Sequence, residues 1–216
     1  MSSEDNEKDG NVDVDADVAL LDRWRSGDEA AGQQLFARHF DSIYGFFETK
    51  CEADADELTQ ATFLACLRAK DQFRRESSFR TYLFTIARNE LYRVLRTRQR
   101  RDAKLDFELS SIAELISTPG TRMARNQEHK RLIEALQHLP VEQQSLLELH
   151  YWEDMDIAAL AQIFDSPAAT IRTRLHRARK ALRDRMESTG SAPEKVLETL
   201  ESMDVWAKGI ARRIAK

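Results

Sequence analysis

An all-α chain is what the 216 residues predict: two small helical domains, a flexible linker, a helix-turn-helix in the second domain, and a C-terminal helical extension. Three observations predict it. Helix formers dominate, and only seven Gly and four Pro punctuate the chain. No stretch alternates apolar and polar residues with the period of two that a half-buried strand needs. And Asp156 to Arg185 holds two apolar helical stripes separated by a break. Ile157, Leu160, Ala161, Ile163 and Phe164 form the first stripe, Ile171, Leu175, Ala178 and Leu182 the second. Between them Asp165-Ser166-Pro167 offers Ser166 as an N-cap and Pro167 as a first helical residue, where a missing N–H costs nothing.

The chain divides, on this reading, into an acidic tail (1–16), a first domain (17–103), a linker (104–129), a second domain (130–187) and the extension (188–216). The tail is too polar to pack. A helix starts near Val18 with Leu20, Leu21 and Trp24, and Ser26-Gly27-Asp28-Glu29 reads as a stop and restart, with Ser26 and Glu29 fitting a capping box. The next helix carries Leu35, Phe36, Phe40, Ile43, Tyr44, Phe46 and Phe47, a set expected in a core. Residues 51–70 begin acidic and become apolar. QFRRESS at 72–78 reads as a loop, and a helix follows from Phe79 to about Arg101. Ser117-Thr118-Pro119-Gly120 is a clear break inside the linker. Leu132, Ile133, Leu136 and Leu139 open the second domain, and VEQQSLLELHYW at 141–152 continues it as an amphipathic helix. In the extension, Val196, Leu197, Leu200, Met203, Trp206, Ile210 and Ile214 trace an apolar stripe that ends among Lys208, Arg212, Arg213 and Lys216.

The formal net charge is −4, but the charge is segregated, and a partner responds to local potential. Ten acids and three bases lie in residues 1–29, nine Arg and two Glu in residues 74–101, and seven Lys or Arg against one acid in residues 172–185. Two basic helical faces follow. On the helix that starts at Phe79, one side gathers Phe79, Leu83, Ile86, Ala87, Leu91 and Val94, while the other carries Tyr82, Thr85, Arg88, Asn89, Tyr92, Arg93 and Arg96. Rings interleaved with guanidinium groups suit unpaired bases and phosphates; the alternative is that the tyrosines pack on neighbouring helices. Glu90 falls within the apolar arc and needs either an Arg partner or a place at the rim. On the second helix of the helix-turn-helix, Arg172, Thr173, His176, Arg177, Lys180 and Arg183 lie away from the apolar stripe, as a major-groove reader requires. Glu52, Asp54, Asp56 and Glu57 form an acidic cluster that either complements a helix dipole or docks a partner.

Cys51 and Cys66 form no CxxC motif and read as buried thiols, compatible with a reducing cytoplasm. The sequence has no signal peptide, no long apolar run, no phosphate-binding glycine loop and no catalytic signature, so neither a membrane span nor a cofactor or metal is expected, and an enzyme is the least expected class. The five histidines are scattered.

Three stretches, in this order and spacing, resemble bacterial RNA polymerase sigma factors of the extracytoplasmic-function group within the sigma-70 family. They are DADELTQATFLACLR at 54–68, FRRESSFRTYLFTIARNELYRVLRTRQRR at 73–101 and LPVEQQSLLELHYWEDMDIAALAQIFDSPAATIRTRLHRARKALRDRM at 139–186. The resemblance implies a protein that binds core polymerase and directs promoter recognition, melting and initiation. It implies that Asp54, Asp56, Glu57 and Gln60 dock on the clamp helices of the largest polymerase subunit. The loop from Arg74 through Arg75 and Ser77 to Phe79, together with Tyr82, Arg88, Asn89, Tyr92 and Arg96, would capture and read the melted −10 element. Thr170, Arg172, Thr173, His176, Arg177 and Lys180 would read the −35 duplex. Residues 139–152 would grip the flap of the second-largest subunit, and the linker would thread the polymerase cleft. An anti-sigma factor is a further implied partner, and the cytoplasm the implied location. Two departures stand out: Asp165 replaces the usual glycine of the turn, and Pro167-Ala168-Ala169-Thr170 replaces Pro-x-Gly-Thr. Asp tolerates left-handed geometry better than most residues. The competing readings are a helix-turn-helix regulator that does not replace a sigma factor, which leaves the 79–96 face unexplained, and a sigma-binding interaction protein, which needs no nucleic-acid faces.

Overall fold

The computed structural model describes residues 16–98, 106–116 and 127–188. Its helices are α1 (16–25), α2 (Glu29–Cys51), α3 (Ala55–Ala69), α4 (Phe79–Arg98), the single turn α5 (Ile112–Leu115), α6 (Gln127–Gln137), α7 (Val141–Tyr151), α8 (Ile157–Ile163) and α9 (Ala168–Ser188). Short 3-10 turns at Glu52–Asp54 and Lys70–Gln72 flank α3. The expected acidic tail, bar Ala16, and nearly all of the C-terminal extension with its apolar stripe lie outside the described residues.

The corner between α1 and α2 shows how local chemistry sets the first fold element. Gly27 takes φ +102°, and the N–H groups of Gly27 and Asp28 return to the carbonyls of Trp24 and Arg23. That is a left-handed helix stop, which favours glycine. The cap of α2 is Asp28 rather than the Ser26–Glu29 box: its carboxylate accepts from Ala31 N at 3.2 Å, while the Ser26 hydroxyl donates back to Asp22 O at 2.8 Å. Both residues are good caps, and the glycine stop puts Asp28 at the required position. Gly32 then lets α1 lie close on α2, since a Cβ there would fall 2.6 Å from the Trp24 indole nitrogen. Asp17 on α1 is buried against His39 (2.7 Å) and Arg38 (3.1 Å) of α2.

Helices α2, α3 and α4 pack on one another around Leu35, Ile43, Phe47, Leu58, Phe79, Leu83 and Leu91. In the second half, α9 lies across α6 and α7 through Leu132, Leu136, Leu147, Ala178 and Leu182. Residues 106–116 are folded onto this half, where a flexible connection was expected. Ser111 caps α5 in a capping box with Glu114, Val141 N donates to Ser110 O (2.9 Å), and Glu142 N donates to Phe107 O (3.1 Å). Phe107, Ile112 and Ile116 are buried, and their apolar bulk is what holds the segment down.

The halves share a core. α8 packs on α4, and Val141, Leu146, Leu149, Leu160, Ile163 and Phe164 join the same cluster as Phe84, Ala87, Tyr92 and Leu95. The middle helix α7 is therefore covered nearly all round, which suits neither the simple amphipathic pattern expected of 141–152 nor a free gripping face.

Candidate nucleic-acid interfaces

The turn of the helix-turn-helix works as its residues suggest. Asp156 caps α8, accepting from Ala159 N at 2.7 Å. At the other end Asp165 takes φ +47°, and its N–H and that of Ser166 return to Gln162 O (3.3 Å) and Ala161 O (3.0 Å). This pair of bonds is the stop that usually employs glycine; Asp165 fills it. The start of α9 differs from expectation by one residue. The Pro167 carbonyl accepts from Ile171 N (3.1 Å), so Pro167 stands at the cap and α9 begins at Ala168, while the Ser166 hydroxyl donates to Phe164 O (3.1 Å). Ile171, Leu175, Ala178, Leu182 and Met186 bury the inner stripe. Arg172, Thr173, His176, Arg177 and Lys180 are exposed, and Thr170 is half-buried at the stripe's edge. Arg174 points elsewhere: its guanidinium pairs with Glu142 and, at 2.6 Å, with Glu108, tying α9 to α7 and the linker segment. Burial pushes the Glu142 carboxyl up from its ordinary range, and Arg174 opposes that push.

The second basic face is only half available. Ser78 caps α4, accepting from Thr81 N at 3.0 Å and, through its carbonyl, from Tyr82 N. In the loop before it Arg74 and Arg75 are exposed and Ser77 half-buried. Arg75 adopts φ +61°, an uncommon backbone for a long side chain, and pairs with Asp22 of α1, which ties the loop to that helix. Asn89, Arg93 and Arg96 are exposed. Glu90 meets Arg93 at 2.7 Å at the edge of the apolar arc, which resolves its position. Tyr82 is half-buried, with its hydroxyl donating to Ala69 O at 3.3 Å and its ring tilted on Phe73.

Two residues that the resemblance assigned to the −10 element are interior. Phe79 is 2% exposed and packs edge-on against Phe73. Tyr92 is 5% exposed, with its ring stacked on Phe107 at 4.0 Å. A helical wheel shows one apolar side of α4, whereas the helix is packed on two sides: by α2 and α3 on one, by α8 and the 106–116 segment on the other. Arg88 is drawn into the second contact. Its guanidinium donates to Ile163 O at 2.5 Å and lies over the rings of Tyr92 (4.8 Å) and Phe164 (5.1 Å). Its Nε is buried with no hydrogen-bond partner among the described residues.

The acidic residues border an apolar groove. Asp56, Glu57 and Gln60 are exposed along α3, and Asp54 is paired with Arg98 at 2.5 Å. Between α2 and α3, Phe36, Phe40, Phe63, Leu64 and Leu67 line a groove of about 730 Å³ with Asp41, Asp56 and Gln60 at its rim. Phe40, expected in the core, is 42% exposed, and Leu64 and Leu67 are exposed too. The signal was present in the spacing: Leu64 and Leu67 are three apart, off the Leu58, Phe63 and Cys66 stripe. An apolar strip of this kind marks a binding surface.

The sigma-70 region 2 family model matches residues 35–101 and the sigma-70 region 4 model matches residues 129–182. The chain is 25% identical over 180 residues to an ECF RNA polymerase sigma-E factor of Haemophilus influenzae, covering 79% of this chain and 95% of the relative. It is 26% identical over 180 residues to that of Escherichia coli K12, with 79% and 94% covered. Among solved structures, CnrH in complex with the cytosolic domain of CnrY is similar at TM-score 0.59 and 26% identity, covering 82% of this chain and 99% of that one. The sigma factor RpoE bound to the anti-sigma factor NepR, from Bartonella quintana, also scores 0.59, at 22% identity and with 72% and 96% covered.

Proposed function

The chain belongs to the sigma-70 family, in its extracytoplasmic-function group, and acts as a sigma factor in transcription initiation; from that premise we propose how its surfaces divide the work. α9 lies in the major groove of the −35 element. Arg172, Thr173, His176 and Arg177 reach base edges, while Lys180 and Thr170 hold phosphate. The loop residues Arg74, Arg75 and Ser77, with Tyr82, Arg88, Asn89 and Arg96 of α4, take bases of the −10 element as they leave the stack. Unstacking costs a few kcal/mol per base, and stacking on an aromatic ring returns about 1–3 kcal/mol, so capture offsets melting only for bases that fit.

The α2–α3 groove, with Asp56, Glu57 and Gln60 beside it, docks core polymerase. Its apolar floor supplies area, and its acids favour a basic partner surface. Cellular polymerase, promoter DNA and an anti-sigma factor are the partners on this reading, and the cytoplasm is the place of action. No helix of the described residues is long and apolar enough to cross a membrane.

The observation that supports the assignment best is the presence, on one chain, of an exposed basic recognition helix and a separate arginine-rich helix preceded by a basic loop. The test is reconstitution with core polymerase on a library of genomic promoters. Specific initiation by chain and core alone is expected. Transcription that appears only when another sigma factor is added would identify an auxiliary regulator instead.

A further inference from the structure

Helix α1 lies outside the matched region 2 model, which begins at residue 35, and it touches the loop that precedes α4. Leu21 and Trp24 bury its inner face. Asp22 and Arg25, three residues apart, share another face, and both reach the segment 70–75. Arg25 is half-buried. Its Nε donates to Lys70 O at 3.1 Å, and a terminal nitrogen donates to Phe73 O at 2.8 Å. The guanidinium fork thereby joins both ends of the bend that closes the 3-10 turn Lys70–Gln72. Lys70 in turn lays its ammonium over the Trp24 ring, 5.1 Å from the centroid. Phe73 is buried against Phe79 and Tyr82, and at the far end Ser78 caps α4. Residues 74–77 are left as a short bridge between two fixed points.

On that bridge Arg75 has the left-handed backbone, φ +61°, and its guanidinium pairs with Asp22. Both side chains stand about half in solvent, and an ion pair so placed adds little to stability. Its consequence is direction. A guanidinium carries five N–H donors in one plane. A carboxylate against one edge fixes that plane and leaves the remaining donors for another acceptor. The same carboxylate repels phosphate, so it biases Arg75 away from the backbone that every sequence shares and toward the edge of a base.

We propose that Asp22 and Arg25 are positioning residues of the −10 reader: Arg25 fixes where the 74–77 bridge sits, and Asp22 aims the Arg75 guanidinium at one base of the melted strand. The inference rests on Arg74, Arg75 and Ser77 being the loop that captures that strand. An arginine that is free in solution loses side-chain freedom when it binds. Holding it beforehand removes that cost only for a base whose acceptors lie along the held direction. Discrimination between bases therefore rises more than affinity does.

The test uses holoenzyme assembled from the full chain and core polymerase, on promoters randomised in turn across the −10 and −35 elements. Asp22→Asn keeps the size of the side chain and removes its charge. It is expected to flatten the preference at one −10 position by about tenfold, the loss of one well-placed arginine–base contact. The slope of log promoter affinity against log salt should steepen by about 0.7, the increment for one new phosphate contact on a single strand. Preferences at the −35 element and the denaturation midpoint should not move. In an Arg75→Ala background Asp22→Asn should change nothing further, because it acts through that residue. Arg25→Ala should relax several −10 positions together, since the whole bridge shifts. If its helix signal falls, Arg25→Lys replaces it in the same assay. An Asp22→Asn holoenzyme with wild-type preference and salt slope, beside an Arg75→Ala one that has lost a preference, would overturn the aiming role. So would additive effects in the double variant, or an equal loss at both promoter elements. A folded Arg25 variant with every −10 preference intact would overturn the bracing role. Arg75→Ala with no change at the −10 element is a different failure: it would strike the promoter reading of Arg75 itself, and the aiming role with it.

Discussion

Two arginine-rich helices of this protein, α4 and α9, carry much the same chemistry and stand in opposite states. On α9 the apolar stripe faces α6, α7 and α8, and Arg172, His176, Arg177 and Lys180 stand in solvent. On α4 both sides are claimed. The inner stripe meets α2 and α3, and the outer one loses Tyr92 to Phe107 and Arg88 to Ile163 and Phe164. The difference teaches that charge and ring content state what a helix is able to bind, whereas tertiary contact decides whether it is free to do so. An aromatic–arginine face is sticky for nucleotides and for protein alike, because stacking and cation–π attraction do not discriminate between a base and a Phe ring. A basic face without rings offers a protein neighbour much less.

The largest expected effect tests that contrast directly. Tyr92→Ala removes a buried ring and should cost about 3–5 kcal/mol of stability, as truncating buried aromatics generally does. His176→Ala, on the exposed face of α9, should change stability by no more than about 0.5 kcal/mol. Urea unfolding followed by circular dichroism measures both. Equal small effects would mean that the outer side of α4 is as open as that of α9.

How far the sequence could reveal this contrast follows from which contacts are local. The helix-turn-helix was legible because its cap, its left-handed stop at Asp165 and its stripe lie within thirty residues. The stop at Gly27 was legible for the same reason, though Asp28 rather than Ser26 provides the cap. Glu90 needed only Arg93, three residues on. Phe79 lay on the apolar arc of α4, so its burial was legible, but nothing near Tyr92 in the chain announces that its ring is covered. Phe107 comes from a segment that reads as linker, Ile163 lies 75 residues from Arg88, and Glu148 lies 98 from the Lys50 it pairs with. The exposed Phe40 was misplaced by the sound rule that large apolar residues go inside; that rule fails where a surface is kept open for a partner.

A middle-sized effect should separate the helices by function instead of stability. Arg177→Ala should weaken binding of upstream-element duplex by the assembled holoenzyme by about 1–3 kcal/mol if the guanidinium pairs with a base, with the denaturation midpoint unmoved. Arg88→Ala should do the reverse on a free chain: the Ile163 carbonyl loses its donor, the Phe164 and Tyr92 rings lose their cation, and the midpoint falls. Footprinting across a set of upstream-element variants checks the first and urea denaturation the second. An unchanged promoter preference for the Arg177 variant would remove it from the base-reading set.

The smallest effect concerns the interior that α4 helps to close. Cys51 and Cys66 are buried free thiols, and burial pushes each up to about 12. For Cys51 the nearby Asp54 adds to the rise while Arg98 and Lys50 oppose it. A thiol in an unfolded chain ionises near about 8.5, so the folded value is the raised one. The stability these thiols contribute is therefore whole below about 8.5, and it is lost as pH climbs from there toward 12. At pH 8 the native chain should hold almost no thiolate and react with a disulfide reagent only as fast as it unfolds, whereas guanidinium should release both thiols at once. The denaturation midpoint should decline between pH 9 and 11. Fast labelling of the native protein would mean that the α2–α3 interior opens more readily than the contact between the halves, and the closed face of α4 would then be a surface contact on a loose domain and not the lid of a firm one.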